Sequence, residues 1–240
     1  MRLLTLARDL RRRKSREKQA LFVAEGVRSV EELLRSSLVV RGVLTAPQLD
    51  GAPRGTALRG MISDRRIDSS AVTEQEFRSA AETESPQGVL AIAEIPERKL
   101  SALAGRESLR VLVLDALQDP GNVGTILRTA AGLGADASVA LPGTVDIWNA
   151  KVIRGAMGAS FHHLCIQATL SDVLDFLASE GAALWAADAS GTPVADVAPP
   201  KKLALVVGNE GAGLSSSVRE RATQMVSLPI SASVESLNVA

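Results

Sequence analysis

The stretch LALVVGNEGAGLSSSVRERATQMVSLPISASVESLNVA, residues 203–240, decides the fold that the sequence predicts. It indicates an apolar strand over 203–207, a glycine-rich turn, a short helix over 215–222 and a second apolar strand over 225–228. A polar loop then leads to residues 236–238. Where neighbouring parallel strands end in small-residue loops, a ligand can lie against exposed backbone. We therefore expect a ligand crevice at the ends of these two strands.

The region before this stretch repeats the alternation of strands and helices. Its predicted strands are 109–114, 137–141, 164–168 and 183–187. Its predicted helices are 122–133, 147–157 and 170–179. Strands separated by helices of this length form a parallel sheet that is covered on both faces. The sequence therefore predicts an α/β fold with a mainly parallel sheet.

The first hundred residues predict a second, smaller α/β domain. Its predicted helices are 1–19, 27–36 and 73–81, the last of which begins at a T-x-x-E capping box. Its predicted strands are 21–24, 38–45 and 89–95, with a loop over 51–60. A polar connection over residues 96–107 separates this region from the larger sheet. We therefore divide the chain into domains of residues 1–100 and 105–240.

The zero net charge of the chain hides a basic amino terminus. Residues 1–100 carry 18 lysines and arginines against 14 acidic residues, and eight of the 18 lie within the first 18 positions. Such a cluster can bind a polyanion through its phosphates, although a solvated helix face is an equal alternative. The candidate RNA-binding residues are Arg11, Arg12, Arg13, Lys14 and Arg16.

Composition excludes several other classes of protein. Hydrophobic residues make up 46% of the chain and charged residues 22%, and no apolar run is long enough to predict a membrane span. The single cysteine, Cys165, can form neither an internal disulfide nor a structural zinc site, so we expect a reducing cytoplasm. The pair His162–His163 lacks further ligands, so no metal site is predicted. Scarce aromatic residues argue against an RRM-type stacking platform.

A first motif, QDPGNVGTILRTA, covers residues 118–130. Its Pro-Gly pair predicts a turn, and Asn122 is expected to cap the following helix. Helical spacing places Arg128 on the face opposite the apolar stripe, near the carboxyl end of the preceding strand. That position suits a ligand-binding residue, although an exposed helical arginine is more often only solvated. Lys151 and Arg154, one helical turn apart, could likewise contact RNA or form a solvated face.

A second motif, GNEGAGL, covers residues 208–214 and carries three glycines and one acid. Glycines permit close approach of a ligand to backbone. The GxxxxGK[ST] and GxGxxG phosphate-binding patterns and the GxSxG nucleophile elbow are absent. The acid favours a ligand that donates hydrogen bonds, such as an adenine amine, a ribose or an ammonium group. A third motif, LPISASVESLN, covers residues 228–238 and would pass alone for an ordinary loop.

The three motifs in this order resemble the SpoU (TrmH-like) family of RNA 2′-O-ribose methyltransferases, of the SPOUT superfamily. Residues 20–95, with FVAEGVRSVEELL and SPQGVLA, resemble the ribosomal protein L30e-like substrate-binding domain of many members. The resemblance implies a C-terminal trefoil knot, S-adenosyl-L-methionine as cofactor and a homodimer. It implies methyl transfer to RNA, with rRNA favoured and tRNA possible. The alternative is a non-catalytic RNA-binding relative acting in ribosome assembly.

The resemblance also assigns roles to individual residues. It places Gly208, Leu228 and Leu237 at the cofactor. The residues that it places around the reacting ribose and methyl group are Asn122, Arg128, Glu210, Ser236 and Asn238.

Members of this family continue beyond the SLNVA sequence into a C-terminal helix that completes the knot and contributes to the dimer. For a chain of residues 1–240, we therefore expect weak cofactor binding and a poorly formed dimer.

Overall fold

The computed structural model describes residues 2–231 and 238–240. The chain forms two compact units. The first unit contains the residues up to Glu97 together with Trp148–His162, and the second contains Arg98–Ile147 and His163–Ala240.

The first unit is built on a four-stranded mixed sheet. Its elements before residue 98 are α1 (Arg2–Asp9), α2 (Arg13–Gln19), β1 (Leu21–Glu25), α3 (Val27–Arg35), β2 (Val40–Thr45), α4 (Pro53–Asp64), β3 (Ser69–Ala71), α5 (Glu74–Ala80) and β4 (Val89–Glu94). The strand order is β1-β4-β2-β3, with β4 antiparallel to both neighbours and β3 parallel to β2. The capping box predicted at Thr73 and Glu76 is present at the start of α5.

The second unit is built on a six-stranded sheet in which every neighbouring pair is parallel. Its elements are β5 (Leu109–Asp115), α6 (Pro120–Gly132), β6 (Ala137–Ala140), β7 (Leu164–Gln167), α9 (Leu170–Glu180), β8 (Ala183–Pro193), β9 (Lys202–Gly208), α10 (Ser216–Arg221) and β10 (Gln224–Ser227). The predicted α/β class with a mainly parallel sheet is confirmed. The trefoil knot stays a prediction.

The strand order β10-β8-β9-β5-β6-β7 creates a switch point at the centre of the sheet. From β5 the chain continues toward β6 on one side, whereas from β9 it continues toward β10 on the other. The two strands end level with each other, because Asp115 pairs with Gly208. Loops that diverge from neighbouring parallel strands leave a crevice between them. The first two sequence motifs begin at this crevice.

Residues 148–162 pack with the first unit, although the predicted division placed them in the larger domain. They form α7 (Ala150–Ala156) and α8 (Ala159–His162). The rings of Trp148 and Phe161 lie 4.7 and 5.9 Å from that of Phe22, and all three side chains are buried. Helical periodicity shows that a segment has an apolar face, but it does not show which sheet covers that face.

The predicted loop over residues 51–60 is wrong, because α4 occupies most of it. Pro53 stands in the first turn of α4, where a missing N–H costs nothing, and Leu58 and Ile62 are buried. Gly55 reads as a loop residue but is required by packing, since a Cβ there would lie 1.8 Å from the Leu49 carbonyl oxygen. The predicted helix over 1–19 is two helices, α1 and α2.

Candidate active site

The loop after β9 is a tight turn closed on itself. Asn209 and Gly213 exchange two backbone hydrogen bonds of 3.0 and 2.8 Å. Gly208 lies so close to this turn that a Cβ would meet the Gly213 carbonyl at 2.6 Å. Because the obstacle is backbone, no side-chain rearrangement could make room. The glycine predicted for close backbone approach is therefore required here by the turn itself.

The side chain of Asn209 joins the β9 loop to the β5 loop. Its Nδ2 donates to the Ala116 carbonyl oxygen at 2.9 Å, and its Oδ1 accepts from the backbone N–H groups of Gly211 and Ala212, each at 2.9 Å. Ala116 itself has φ of 57°, a left-handed conformation that is strained for alanine. Asn209 had no role among the predicted site residues. Its place directly after Gly208, at the end of a predicted strand, was the available signal.

A buried carboxylate holds the start of α10 against the end of β5. Asp115 is 4% exposed, and its Oδ2 accepts from the backbone N–H of Ser215 at 2.7 Å. Ser215 is the N-cap of α10. The loop between β9 and α10 is thus fixed at both ends to the neighbouring strand. The predicted strand over 109–114 stops one residue before Asp115, and no local pattern pointed to its partner 100 residues away.

Asp119, rather than Asn122, caps helix α6, and the predicted cap is wrong. The Asp119 Oδ1 accepts from the Asn122 backbone N–H at 2.8 Å. Pro120 occupies the first turn and moves the helix start two residues earlier than predicted. The Asn122 side chain is therefore available for other contacts. Its Nδ2 donates to Glu210 Oε1 at 2.6 Å, which connects the first motif to the second.

Arg128 lies on the exposed face of α6. Val123, Ile126, Leu127 and Ala130 form the buried stripe, as the helical spacing predicts. An arginine on this face keeps its charge in contact with solvent and with any ligand that approaches the helix.

The third motif is described only in part. Leu228 follows β10 and is 64% exposed. Asn238 is exposed, and its Oδ1 accepts from the Ala240 backbone N–H at 3.1 Å. Ser236 and Leu237 lie outside the described residues.

The basic amino-terminal cluster loses one of its predicted RNA-binding members. Arg16 is 3% exposed, and its Nη1 donates to the carbonyl oxygens of Leu10 and Arg11 at 2.8 and 2.9 Å. This buried guanidinium group satisfies carbonyl groups in the turn between α1 and α2. The structure therefore argues against a direct contact of Arg16 with RNA. Arg12 and Lys14 are exposed, and Arg13 forms an ion pair with Glu17 at 2.7 Å.

The remaining titratable groups in the parallel-sheet unit do not form a metal site. Within residues 2–231 and 238–240, no cluster of three or more His, Cys, Asp or Glu side chains is placed to hold a metal ion. His163 is buried, and its Nε2 lies 2.9 Å from the Ser138 hydroxyl. Burial, aided by the charge of Arg98, lowers the pKa of His163. Burial raises the pKa of Cys165 to about 12, which keeps this thiol neutral.

No helix in the described part of the chain is long and apolar enough to span a membrane.

Comparison with known proteins identifies the family. Residues 109–240 match the SpoU rRNA Methylase family, and residues 5–91 match the MRM3-like substrate binding domain. The chain belongs to the SpoU rRNA methylase family. A 23S rRNA (guanosine(2553)-2′-O)-methyltransferase, RlmP of Bacillus subtilis, is 35% identical over 97% of this chain and 89% of its own length. A 23S rRNA (uridine(2479)-2′-O)-methyltransferase of Streptomyces viridochromogenes is 27% identical over 95% of this chain and 81% of its own length.

Solved structures of SpoU enzymes share this fold over both units. AviRb of Streptomyces viridochromogenes, in complex with S-adenosylmethionine, has a TM-score of 0.90 and 26% identity, over 99% of this chain and 92% of its own. An S-adenosylmethionine-bound rRNA methyltransferase of Sinorhizobium meliloti has a TM-score of 0.84 and 25% identity, over 99% and 89%. The resemblance inferred from the three motifs is thereby confirmed. So are the enzyme class, an RNA methyltransferase, and S-adenosylmethionine as its cofactor.

The residues at the crevice fit this cofactor. The turn after β9 presents backbone beside Gly208, where close approach suits the edge of a nucleoside. Glu210 places a carboxylate where a positively charged sulfonium and its amino group are favoured.

Proposed function

We propose that this protein transfers a methyl group from S-adenosylmethionine to a ribose 2′-hydroxyl of ribosomal RNA. The observation that carries the proposal is the hydrogen bond from Asn122 to Glu210, which joins the first two motifs at the switch point of the sheet. The matched relatives named as 2′-O-methyltransferases of 23S rRNA support rRNA as the substrate. The finer assignments that go with this proposal are a homodimer and a cytoplasmic location.

We further propose roles for the predicted site residues. Gly208, Leu228 and Leu237 hold the cofactor through backbone and apolar contact. The side chains that surround the reacting ribose are those of Asn122, Arg128, Glu210, Ser236 and Asn238. S-adenosylmethionine supplies an electrophilic methyl group on a cationic sulfur. The contribution of the protein is alignment, which brings the 2′-oxygen into line with that methyl group.

Arg128 favours loss of the hydroxyl proton without accepting it. A guanidinium group keeps its positive charge in proteins and is therefore not a proton acceptor here. Cationic Arg128 therefore binds the adjacent phosphate of the RNA and stabilises negative charge that develops on the 2′-oxygen. The proton passes to that phosphate or to water.

The experiment that tests the proposal is methyl transfer from radiolabelled S-adenosylmethionine to total RNA and to isolated ribosomal subunits. Ribose-methylation mapping by alkaline cleavage then locates the modified nucleotide. We expect one protected position in 23S rRNA. Label confined to tRNA would contradict the rRNA assignment. Binding of rRNA without transfer, under conditions where cofactor binds, would favour the non-catalytic alternative.

A further inference from the structure

A cavity of about 320 Å³ lies within the first unit, and none of its lining residues belongs to the three sequence motifs. Its volume falls within the ~300–1,000 Å³ range of small-ligand pockets. The end of β1, the first turn of α3, the loop before β4 and the end of α7 line it. The side chains that define its chemistry are Glu25, Arg28, Thr83, Gln87, Arg154 and Met157.

The carboxylate in this cavity is already satisfied by the protein. Glu25 is 6% exposed, its Oε2 accepts from the Glu82 backbone N–H at 2.8 Å, and its Oε1 accepts from the Thr83 hydroxyl. These donors hold the buried charge in place. Glu25 is therefore a fixed wall of the cavity, and these donors partly offset its negative charge.

The two arginines of the cavity, unlike Glu25, have donor groups that the described part of the protein leaves without hydrogen bonds. The Nη1 of Arg154 lies 4.0 Å from Glu25 Oε2, beyond hydrogen-bond distance, and it is buried without a hydrogen-bond partner. The Arg154 side chain is nevertheless 37% exposed. Arg28 is exposed, and across residues 2–231 and 238–240 it forms no hydrogen bond or ion pair. Two guanidinium groups against one satisfied carboxylate leave the cavity with a net positive charge.

The other walls offer a polar donor and an apolar surface. The Oε1 of Gln87 accepts from the Val27 backbone N–H at 2.8 Å. Because that partner is a donor, it fixes the amide orientation and leaves Nε2 to donate elsewhere. Met157, at the end of α7, has a left-handed backbone and a 36% exposed side chain. A thioether packs well against the face of an aromatic ring.

We propose that this cavity binds one unpaired nucleotide of the RNA substrate, with its phosphate against Arg28 and Arg154 and its base against Met157. The proposal rests on the proposed function, since it assigns the cavity to the same RNA. Guanidinium groups are suited to phosphate, and a concave pocket admits a base only when that base is unstacked and unpaired. The site combines residues from both family-matched segments, because Arg154 and Met157 lie within residues 109–240.

The test compares RNA affinity by fluorescence anisotropy for the full chain and its variants. The probes are a fluorescein-labelled 12-nucleotide single-stranded RNA of mixed sequence and the matching 12-base-pair duplex. We expect Arg28→Glu to weaken single-strand binding at least tenfold and to reduce the salt dependence, with a smaller effect on the duplex. Ser85→Trp, which adds bulk to an exposed wall without changing charge, should weaken single-strand binding at least fivefold.

The matched control is Arg66→Glu, which makes the same charge change at an exposed arginine of the first unit that does not line the cavity. Its affinity should stay within twofold of the parent chain. Equal losses for Arg28→Glu and Arg66→Glu would overturn the proposal, since they would indicate general charge attraction. Unchanged single-strand binding by Arg28→Glu would also overturn it. Circular dichroism melting checks folding, and if Ser85→Trp fails to fold, Arg28→Glu decides.

Methyl transfer to rRNA separates this inference from the proposed function. The Arg28→Glu variant should show a raised KM for rRNA, with kcat and cofactor affinity within twofold of the parent. If this variant has normal RNA affinity and a normal KM while the parent transfers methyl groups normally, the nucleotide pocket is contradicted and the methyltransferase assignment stands. Absence of transfer in the parent chain would instead contradict the proposed function, while the anisotropy comparison would still judge the cavity.

Discussion

Asn122 and Glu210 are separated by 88 residues in sequence and by one hydrogen bond of 2.6 Å in space. The contact depends on a residue that the sequence analysis did not single out. Asp119 caps α6 and so releases the Asn122 side chain to reach across the crevice. A carboxylate that accepts from an amide in this way is held in one orientation relative to the cofactor crevice. The contact that Asn122 makes is thus set by two partners, Asp119 and Glu210, which the fold brings to it.

The coupling between these two residues is measurable. We expect Asn122→Ala and Glu210→Ala each to lower kcat/KM for rRNA, and the double variant to lose less than the sum of both losses. The coupling energy should be about 0.5–1.5 kcal/mol, the range of an ordinary hydrogen bond. Asn122→Ala combined with Glu74→Ala, at an exposed site on α5, should be additive. Additivity within about 0.3 kcal/mol for the Asn122 and Glu210 pair would show that the contact has no part in catalysis.

Arg128 provides a second prediction at the residue scale. Arg128→Ala should lower kcat about 10²–10³-fold, because it removes a cation from the charge that develops on the ribose oxygen. Arg128→Lys keeps the charge but loses the planar fork that binds phosphate through two donors, so most of this loss should remain. Single-turnover methyl transfer measures both. Near-full activity of the lysine variant would rule out the bidentate phosphate contact.

At the scale of elements, hydrogen bonds connect the ends of β5 and β9 at more points than their sequences suggest. Asn209 binds the β5 loop, Asp115 binds the start of α10, and Gly208 permits the close turn between them. These contacts fix the backbone against which a cofactor can lie. A loop held at several points loses little conformational entropy when a ligand binds, and this preorganisation favours affinity.

Gly208→Ala tests this preorganisation. The added methyl group would meet the Gly213 carbonyl at 2.6 Å, so the turn must shift. We expect a stability loss of about 1–3 kcal/mol and a loss of S-adenosylmethionine affinity of at least tenfold, measured by urea unfolding and calorimetry. Gly211→Ala, in the same turn but with its nearest contact at 3.6 Å, is the control and should bind cofactor nearly as the parent does. Equal affinities for the parent and Gly208→Ala would show that this close turn does not shape the cofactor site.

At the scale of the whole molecule, the chain crosses between its two compact units three times. The segment Trp148–His162 leaves the second unit after Ile147 and supplies the first unit with two buried aromatic rings. A fragment cut at the apparent boundary near residue 97 would therefore expose Phe22. The domain division seen in sequence and the division seen in space are not the same.

Trp148→Ala tests how much the stability of the first unit depends on the segment Trp148–His162. Removing a large buried ring from the Phe22 cluster should destabilise the first unit by about 3–5 kcal/mol. We expect an earlier unfolding transition in differential scanning calorimetry. The other tryptophan, Trp185, lies in β8 of the second unit. In a Trp148→Phe variant it is the remaining tryptophan, so its fluorescence reports the unfolding of the second unit. Unfolding of Trp148→Ala at the parental temperature would contradict the proposed contribution of this segment.

The sequence by itself determined the fold class, the family and the loops in which we propose that the chemistry takes place. Strand and helix periods, three ordered motifs and the small residues after 203–207 are local properties, and local properties can be read from a chain. Only the tertiary structure decided that Asp119 frees Asn122, that Arg16 is buried and that residues 148–162 pack against β1. These outcomes depend on partners distant in sequence, whose identity no periodicity records. The stretch 203–240 predicted a crevice at the ends of its own two strands, but β8 separates β9 from β10, and the neighbour that ends level with β9 is β5.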